Sequence, residues 1–141
     1  LILFKKYCGE ANLKPFVRLN GTSDISWEKY SIFTSHLDIQ FYDYTKVHNR
    51  KITNLTNYHL TYSRSEESTD KDLTKALDNG MNVAVVFNKS LPETYRISTY
   101  DIPVINGDLN DLRAKDPKRV VVGLVAKGDA KTDKSGFVVY S

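Results

Sequence analysis

Apolar runs that break off into polar clusters recur along the chain. The stretch Leu37-Asp38-Ile39-Gln40-Phe41-Tyr42-Asp43-Tyr44-Thr45-Lys46 begins as a buried strand and ends polar and aromatic. The same change occurs from Phe16 to Asp24, from Tyr58 to Glu66 and from Val83 to Lys89. Strands are therefore expected at Phe16–Asn20, Ile39–Tyr44, Tyr58–Ser63, Asn82–Phe87 and Arg119–Val125, with a short one at Val104-Ile105 and an edge strand at Phe137–Tyr140. Val83-Ala84-Val85-Val86-Phe87 has no polar alternation, the pattern of a parallel strand covered on both faces.

Between the strands, three- and four-residue apolar spacing predicts helices. Trp27, Tyr30, Phe33 and Leu37 would share one face of a helix capped by Ser23 or Asp24, with Glu28, Lys29 and Ser31 facing water. Leu73, Ala76 and Leu77 would share a face of a second helix, capped by Thr69 or Asp70 and stopped by Asn79-Gly80. Leu1–Tyr7 reads as a strand or the tail of a helix. Cys8–Pro15, Lys46–Asn57, Lys89–Pro103, Asp108–Asp116 and Lys127–Ser135 read as loops, the second with a turn of helix.

The strand centres Val17, Ile39, Leu60 and Val85 lie 21 to 25 residues apart. That spacing suits right-handed βα units. The expected fold is a single α/β domain over 1–141 with a mostly parallel sheet built from successive βα units. Its form is a partial TIM-barrel-like sheet or a small open one, since a complete eight-unit barrel needs about 200 residues or more. Leu1 without a preceding Met suggests the C-terminal part of a longer protein.

Composition narrows the picture slightly. The hydrophobic share of 40% and charged share of 26% are those of an ordinary globular domain. No apolar run reaches the roughly 18 residues of a membrane helix, so no membrane association is expected. Cys8 is the one cysteine, which excludes an internal disulfide and leaves no cysteine cluster for zinc or iron–sulfur. A formal charge of +3 permits contact with a polyanion without predicting it. Nine tyrosines against one tryptophan favour strand ends and binding surfaces.

Ligands of parallel sheets gather beyond the carboxyl ends of the strands. The residues expected there include Asn20, Ser23, Asp24, Asp43, Tyr44, Lys46, Arg64, Glu66 and Lys89, with Asp108 and Arg113 folding over from the long loop. Asp24 and Asp43 are the candidate catalytic carboxylates, and with Glu66 or Asp108 they have the oxygen chemistry for Mg²⁺ or Mn²⁺ and phosphoester work. The plainer alternative makes Asp24 a helix cap and Glu66 a solvated surface group. Lys46, Arg50, Arg64, Lys89 and Arg113 with Tyr42, Tyr44, Tyr58 and Tyr62 match the cation–aromatic mixture of single-strand grooves, or else are solubility charges and half-buried strand tyrosines. His36, His48 and His59 show no metal spacing and read as structural. No Gly-rich phosphate loop is present.

Several strings carry a resemblance as a set: Val17-Arg18-Leu19-Asn20-Gly21-Thr22-Ser23-Asp24-Ile25-Ser26-Trp27-Glu28, Phe41–Lys46, Asn57–Ser63, Asn82–Phe87, Val104–Arg113, Asp116-Pro117 and Val122-Gly123-Leu124. With these the chain resembles a family of uncharacterised phage- and plasmid-encoded gene products over roughly Phe16 to Val139. The resemblance implies a mobile-element context and hence the host cytoplasm, and carries no established activity. It also implies Cys-containing sequence upstream in longer relatives; with Cys8 alone, this chain offers nothing comparable for a metal cluster.

Three functional readings follow. The first is a domain that binds or processes nucleic acid or a nucleotide phosphate, with Asp24, Asp43 and Asp108 on a metal and Lys46, Arg64 and Arg113 on phosphate. The second is a non-catalytic module that binds protein or nucleic acid through its tyrosine-rich edge. The third is a structural protein that self-associates as a homo-oligomer through an open sheet edge. On the first reading, Asp43→Asn changes the response to ligand and leaves stability nearly intact.

Overall fold

In a computed structural model, residues 1–140 are described. The helices are α1 (Ile2–Glu10), α2 (Ile32–Ser35) and α3 (Asp70–Asp78). The strands are β1 (Phe16–Arg18), β2 (Gln40–Thr45), β3 (Tyr58–Ser63), β4 (Asn82–Phe87), β5 (Thr94–Ile97), β6 (Tyr100–Asn106), β7 (Val121–Val125) and β8 (Val138–Val139). Short 3₁₀ turns lie at Trp27–Lys29, Arg113–Lys115 and Gly128–Thr132.

The expected α/β architecture of successive βα units is not what forms. The protein is strand-rich, 28% strand against 24% helix, around one mixed eight-stranded sheet of order β1-β2-β3-β4-β7-β6-β5, with β8 added against β4. β5 runs antiparallel to β6; the other pairings are parallel. The order ends at β1 and β5 and does not close, so there is no barrel. The physical reason is visible in the connections. Only α3 is a helix of more than one turn between neighbouring parallel strands. Lys46–Asn57 has too few apolar positions to bury a helix face and crosses from β2 to β3 as a loop. Lys89–Pro103, expected to be irregular, instead holds the β5–β6 hairpin, turned at Ser98 with φ 56°.

The helix expected over residues 24–37 is also broken, into the 3₁₀ turn Trp27–Lys29 and the single turn α2. Asp24 does not cap it, because its carboxylate is bonded to the end of β2. Glu28, expected in water, turns inward to Arg50 at 2.6 Å. α1 is a helix that includes Cys8, and Lys5 ties it to Asp38 at 2.8 Å. Its Ile2, Leu3 and Tyr7 are exposed.

α3 forms as its sequence directs. Thr69 and Asp72 make a reciprocal capping box, and Leu73, Ala76 and Leu77 are buried. Each such cap is worth about 1 kcal/mol. Gly80 follows at φ 92°, a left-handed stop that glycine takes without steric cost. The buried face of α3 meets Met81, Val83, Val85 and Phe87 in the core. Under β2 and β3 the core is aromatic: Phe33 stacks on Tyr58 at 4.2 Å and meets Phe41 edge-on at 5.2 Å. On β2, Phe41, Asp43 and Thr45 point to this core, while Gln40, Tyr42 and Tyr44 occupy the opposite face. That opposite face is roofed by the 3₁₀ turn Arg113–Lys115, which packs over β2 and β3. Among the described residues no helix is long and apolar enough to cross a membrane.

Candidate functional site

Where β1, β2 and β3 end, the backbone opens into a shallow depression of about 330 Å³, lined by Arg18, Asn20, Gly21, Thr22, Ser23, Asp24, Tyr44, Thr45, Lys46 and Ser63. Its floor exists because Asn20 folds the loop after β1. The Asn20 side chain is buried, and its Oδ1 accepts from Ser23 Oγ at 3.0 Å, from Trp27 Nε1 at 2.9 Å and from the Ile25 amide at 3.3 Å. Its Nδ2 donates to the Ile25 carbonyl at 3.0 Å. One amide thus satisfies a whole turn that has no regular structure of its own.

Asp24 closes the turn onto β2. Its carboxylate accepts from Thr45 Oγ1 at 2.7 Å, from the Lys46 amide at 2.9 Å and from Arg50 Nη1 at 3.3 Å. Arg50, with 2% of its side chain exposed, holds Glu28 through two nitrogens at 3.0 and 2.6 Å and reaches the Tyr58 hydroxyl at 3.1 Å. Tyr58 donates in turn to Asp43 at 2.7 Å, and Asp43 also accepts the Asn20 amide at 2.7 Å. Burial raises the Asp43 carboxyl above its usual range, opposed by the bonds from Tyr58 and Asn20.

The expected site residues therefore divide. Asn20, Ser23, Asp24, Tyr44 and Lys46 come together at the depression. Asp43 is fully buried beneath it. Arg64 donates to the Gly136 and Phe137 carbonyls, both at 3.0 Å, and pins the chain entering β8. Asp108 accepts from Lys127 Nζ at 2.8 Å and from the Val125 amide at 2.9 Å, contacts that hold its carboxyl below the usual range. Glu66 is exposed elsewhere. Arg113 is buried on the far side of Tyr44, at 1% exposure. Among the described residues, no group of three or more His, Cys, Asp or Glu side chains converges as metal ligands do. The carboxylates of Asp24 and Asp43 are already taken up by protein donors.

Arg18 is the one charged depression residue outside the expected set. Its Nε donates to the Asn20 carbonyl at 3.1 Å, and its guanidinium lies 5.3 Å from the centre of the Tyr44 ring. The signal for it is the alternation in Phe16-Val17-Arg18: Val17 packs against the core, so Arg18 must take the open face. Arg18 pairs in register with Tyr42 on β2.

The fold and depression define a small mixed-sheet protein with a cation-bearing hollow at the ends of three parallel strands. The chain belongs to the Gene product 88 family, an uncharacterised phage gene-product family whose model matches residues 2–141. No curated protein and no solved structure matches it.

Proposed function

We propose that the depression at the ends of β1, β2 and β3 binds the phosphate of a nucleotide or of a nucleic-acid strand. The supporting observation is the charge left over at its rim. Asp24, the one carboxylate among the described residues lining it, is occupied by Thr45, Lys46 N–H and Arg50, whereas the guanidinium end of Arg18 and the Lys46 ammonium have no carboxylate partner among the described residues. A guanidinium 5.3 Å from the Tyr44 ring and a lysine lining the same depression suit a phosphate with an adjoining base, the pairing used by single-strand grooves. Binding, not turnover, is the role assigned to Asn20, Ser23 and Asp24: they shape the loop that presents Arg18 and Lys46.

The test is fluorescence anisotropy with a short single-stranded oligonucleotide, alongside thermal shift with nucleotides at fixed ionic strength. Lys46→Ala and Arg18→Ala should each weaken binding and lower the salt slope by about 1. A ligand at 100 times its dissociation constant should add about 2.7 kcal/mol of stability. Absence of any stabilisation by nucleotides and oligonucleotides overturns the reading.

A further inference from the structure

The face of the sheet under the 3₁₀ turn Arg113–Lys115 carries polar groups that its packing does not satisfy. His59 and Thr61 are alternate residues on β3, paired in register with Tyr42 and Tyr44 on β2. They are 3% and 0% exposed. His59 Nε2, Thr61 Oγ1, and Nε and Nη1 of Arg113 are all buried without a hydrogen-bond partner, and so is Asp116 Oδ2, the acceptor beside Arg113. Arg113 bonds only through Nη2, to the Asn110 carbonyl at 2.6 Å. Its ion pair with Asp116 is long, 3.5 Å. Arg113 also needs the glycine beside it: a Cβ on Gly107 would lie 2.8 Å from Nη1.

This set is rich in donors. Guanidinium N–H groups, a hydroxyl and an imidazole nitrogen are gathered where the turn Arg113–Lys115 packs on β2 and β3, with Asp116 beside Arg113 and Asp111 acting with it on Tyr44. Leaving buried donors unpaired is destabilising, because each has given up its bonds to water. A ligand that only accepts hydrogen bonds and carries negative charge would satisfy the donors, and Arg is the side chain best suited to it; the Asp116 carboxyl, raised by burial, is the one acceptor among them. Tyr44 and Ser63 line the outer depression, and Thr61 lies two residues before Ser63 on the same face of β3. The segment Asp108–Leu112 that leads into Arg113 is exposed along its length.

We propose that His59, Thr61 and Arg113 form an inner oxyanion subsite beneath segment 107–116, separated from the outer depression by Tyr44, and that it takes a phosphate group. This subsite does not depend on the outer depression: inorganic phosphate alone would occupy it.

The experiment titrates inorganic phosphate into the full chain at constant ionic strength, with chloride as the control. The readouts are the His59 imidazole resonances and the thermal midpoint. Four proteins are compared: the parent, Thr61→Val, Arg113→Met and Lys46→Ala. The expected result is a saturable phosphate response in the parent and in Lys46→Ala. Thr61→Val, which keeps the strand and the side-chain volume, should bind about tenfold more weakly, the loss of one charge-assisted hydrogen bond. If Arg113→Met fails to fold, Thr61→Val decides. The proposal is overturned if the parent shows no saturable response, the cluster then holding water only, or if Thr61→Val binds phosphate as the parent does. It is also overturned if Lys46→Ala abolishes the response; phosphate would then sit in the outer depression, leaving the proposed function standing.

Discussion

Tyr58 donates its hydroxyl proton to the Asp43 carboxylate across 2.7 Å and accepts from Arg50 at 3.1 Å. A carboxylate with no solvent exposure is thereby joined through one phenol to a buried guanidinium. Buried charge of this kind is tolerated only while its partners remain. Asp43→Ala should therefore cost about 3 to 5 kcal/mol. Asp43→Asn should cost about 1 to 2 kcal/mol, since one acceptor oxygen survives. A catalytic Asp43 predicts the reverse, an intact fold with altered ligand response. Urea denaturation of the two variants separates the two, and a loss below about 0.5 kcal/mol for Asp43→Ala would end the structural role.

The sequence exposes its strands and α3 because these carry local signals. Alternation and apolar runs mark Gln40–Thr45, Tyr58–Ser63, Asn82–Phe87 and Val121–Val125, and the capping hydroxyl of Thr69 marks the start of α3. The β5–β6 hairpin is hidden, because its turn uses Ser98 at φ 56° in place of the Asn-Gly or Gly that usually announces one. The helix expected after Asp24 has the right apolar spacing, but tertiary bonds outcompete it: Asn20 folds residues 23–27 onto itself, and Asp24 is drawn to Thr45 and Lys46. At the site, Asn20, Ser23, Asp24, Tyr44 and Lys46 are legible because they lie at or just past strand ends. Asp43 and Arg113 are misplaced by the same logic. Their charge suggests a surface, while the strand pleat turns Asp43 inward and the 107–116 segment folds Arg113 onto β3.

His59 makes stability depend on pH. Burial, with Lys118 and Arg113 nearby, pushes its imidazole from 6.5 down to about 4. Above pH 6.5 both folded and unfolded chains are neutral at this position, and the contribution is complete. Between 6.5 and about 4 the unfolded chain takes up the proton first, so stability falls by about 1 to 3 kcal/mol. Asp43 and Asp116, both raised by burial, act in the opposite sense on acidification. The difference between parent and His59→Gln, followed by chemical denaturation from pH 7 to 4.5, isolates the histidine. Equal slopes for the two proteins would show that His59 titrates alike in the folded and unfolded chains.

Asn20 links loop order to ligand capture. Asn20→Ala removes the acceptor shared by Ser23, Trp27 and Ile25 and leaves the Trp27 indole N–H without its bond. A loss of about 2 to 3 kcal/mol is expected, together with a weaker oligonucleotide response. Lys46→Ala should weaken the same response with stability within about 0.5 kcal/mol of the parent. Tryptophan fluorescence reports the first effect directly, since Trp27 is the one tryptophan of the chain. An unchanged emission spectrum in Asn20→Ala would show that the loop holds without its amide.

Gly123 sits in β7 between β4 and β6, where there is no room for a side chain. A Cβ there would lie 2.7 Å from Val104 Cγ1, 2.9 Å from Leu91 Cδ2 and 3.3 Å from the Ile105 carbonyl. Gly123→Ala should overpack this junction and cost about 1 to 3 kcal/mol. Removing the nearest obstruction tests the cause. Val104→Ala alone loses buried methyls, yet in the Gly123→Ala background it should relieve the clash, so the pair is less destabilised than the sum by about 0.5 kcal/mol or more. Additive losses would place the strain at Leu91 or the Ile105 backbone and not in the valine. A neutral Gly123→Ala would mean that β6 and β7 move apart freely, at odds with their paired register from Val104 to Asn106.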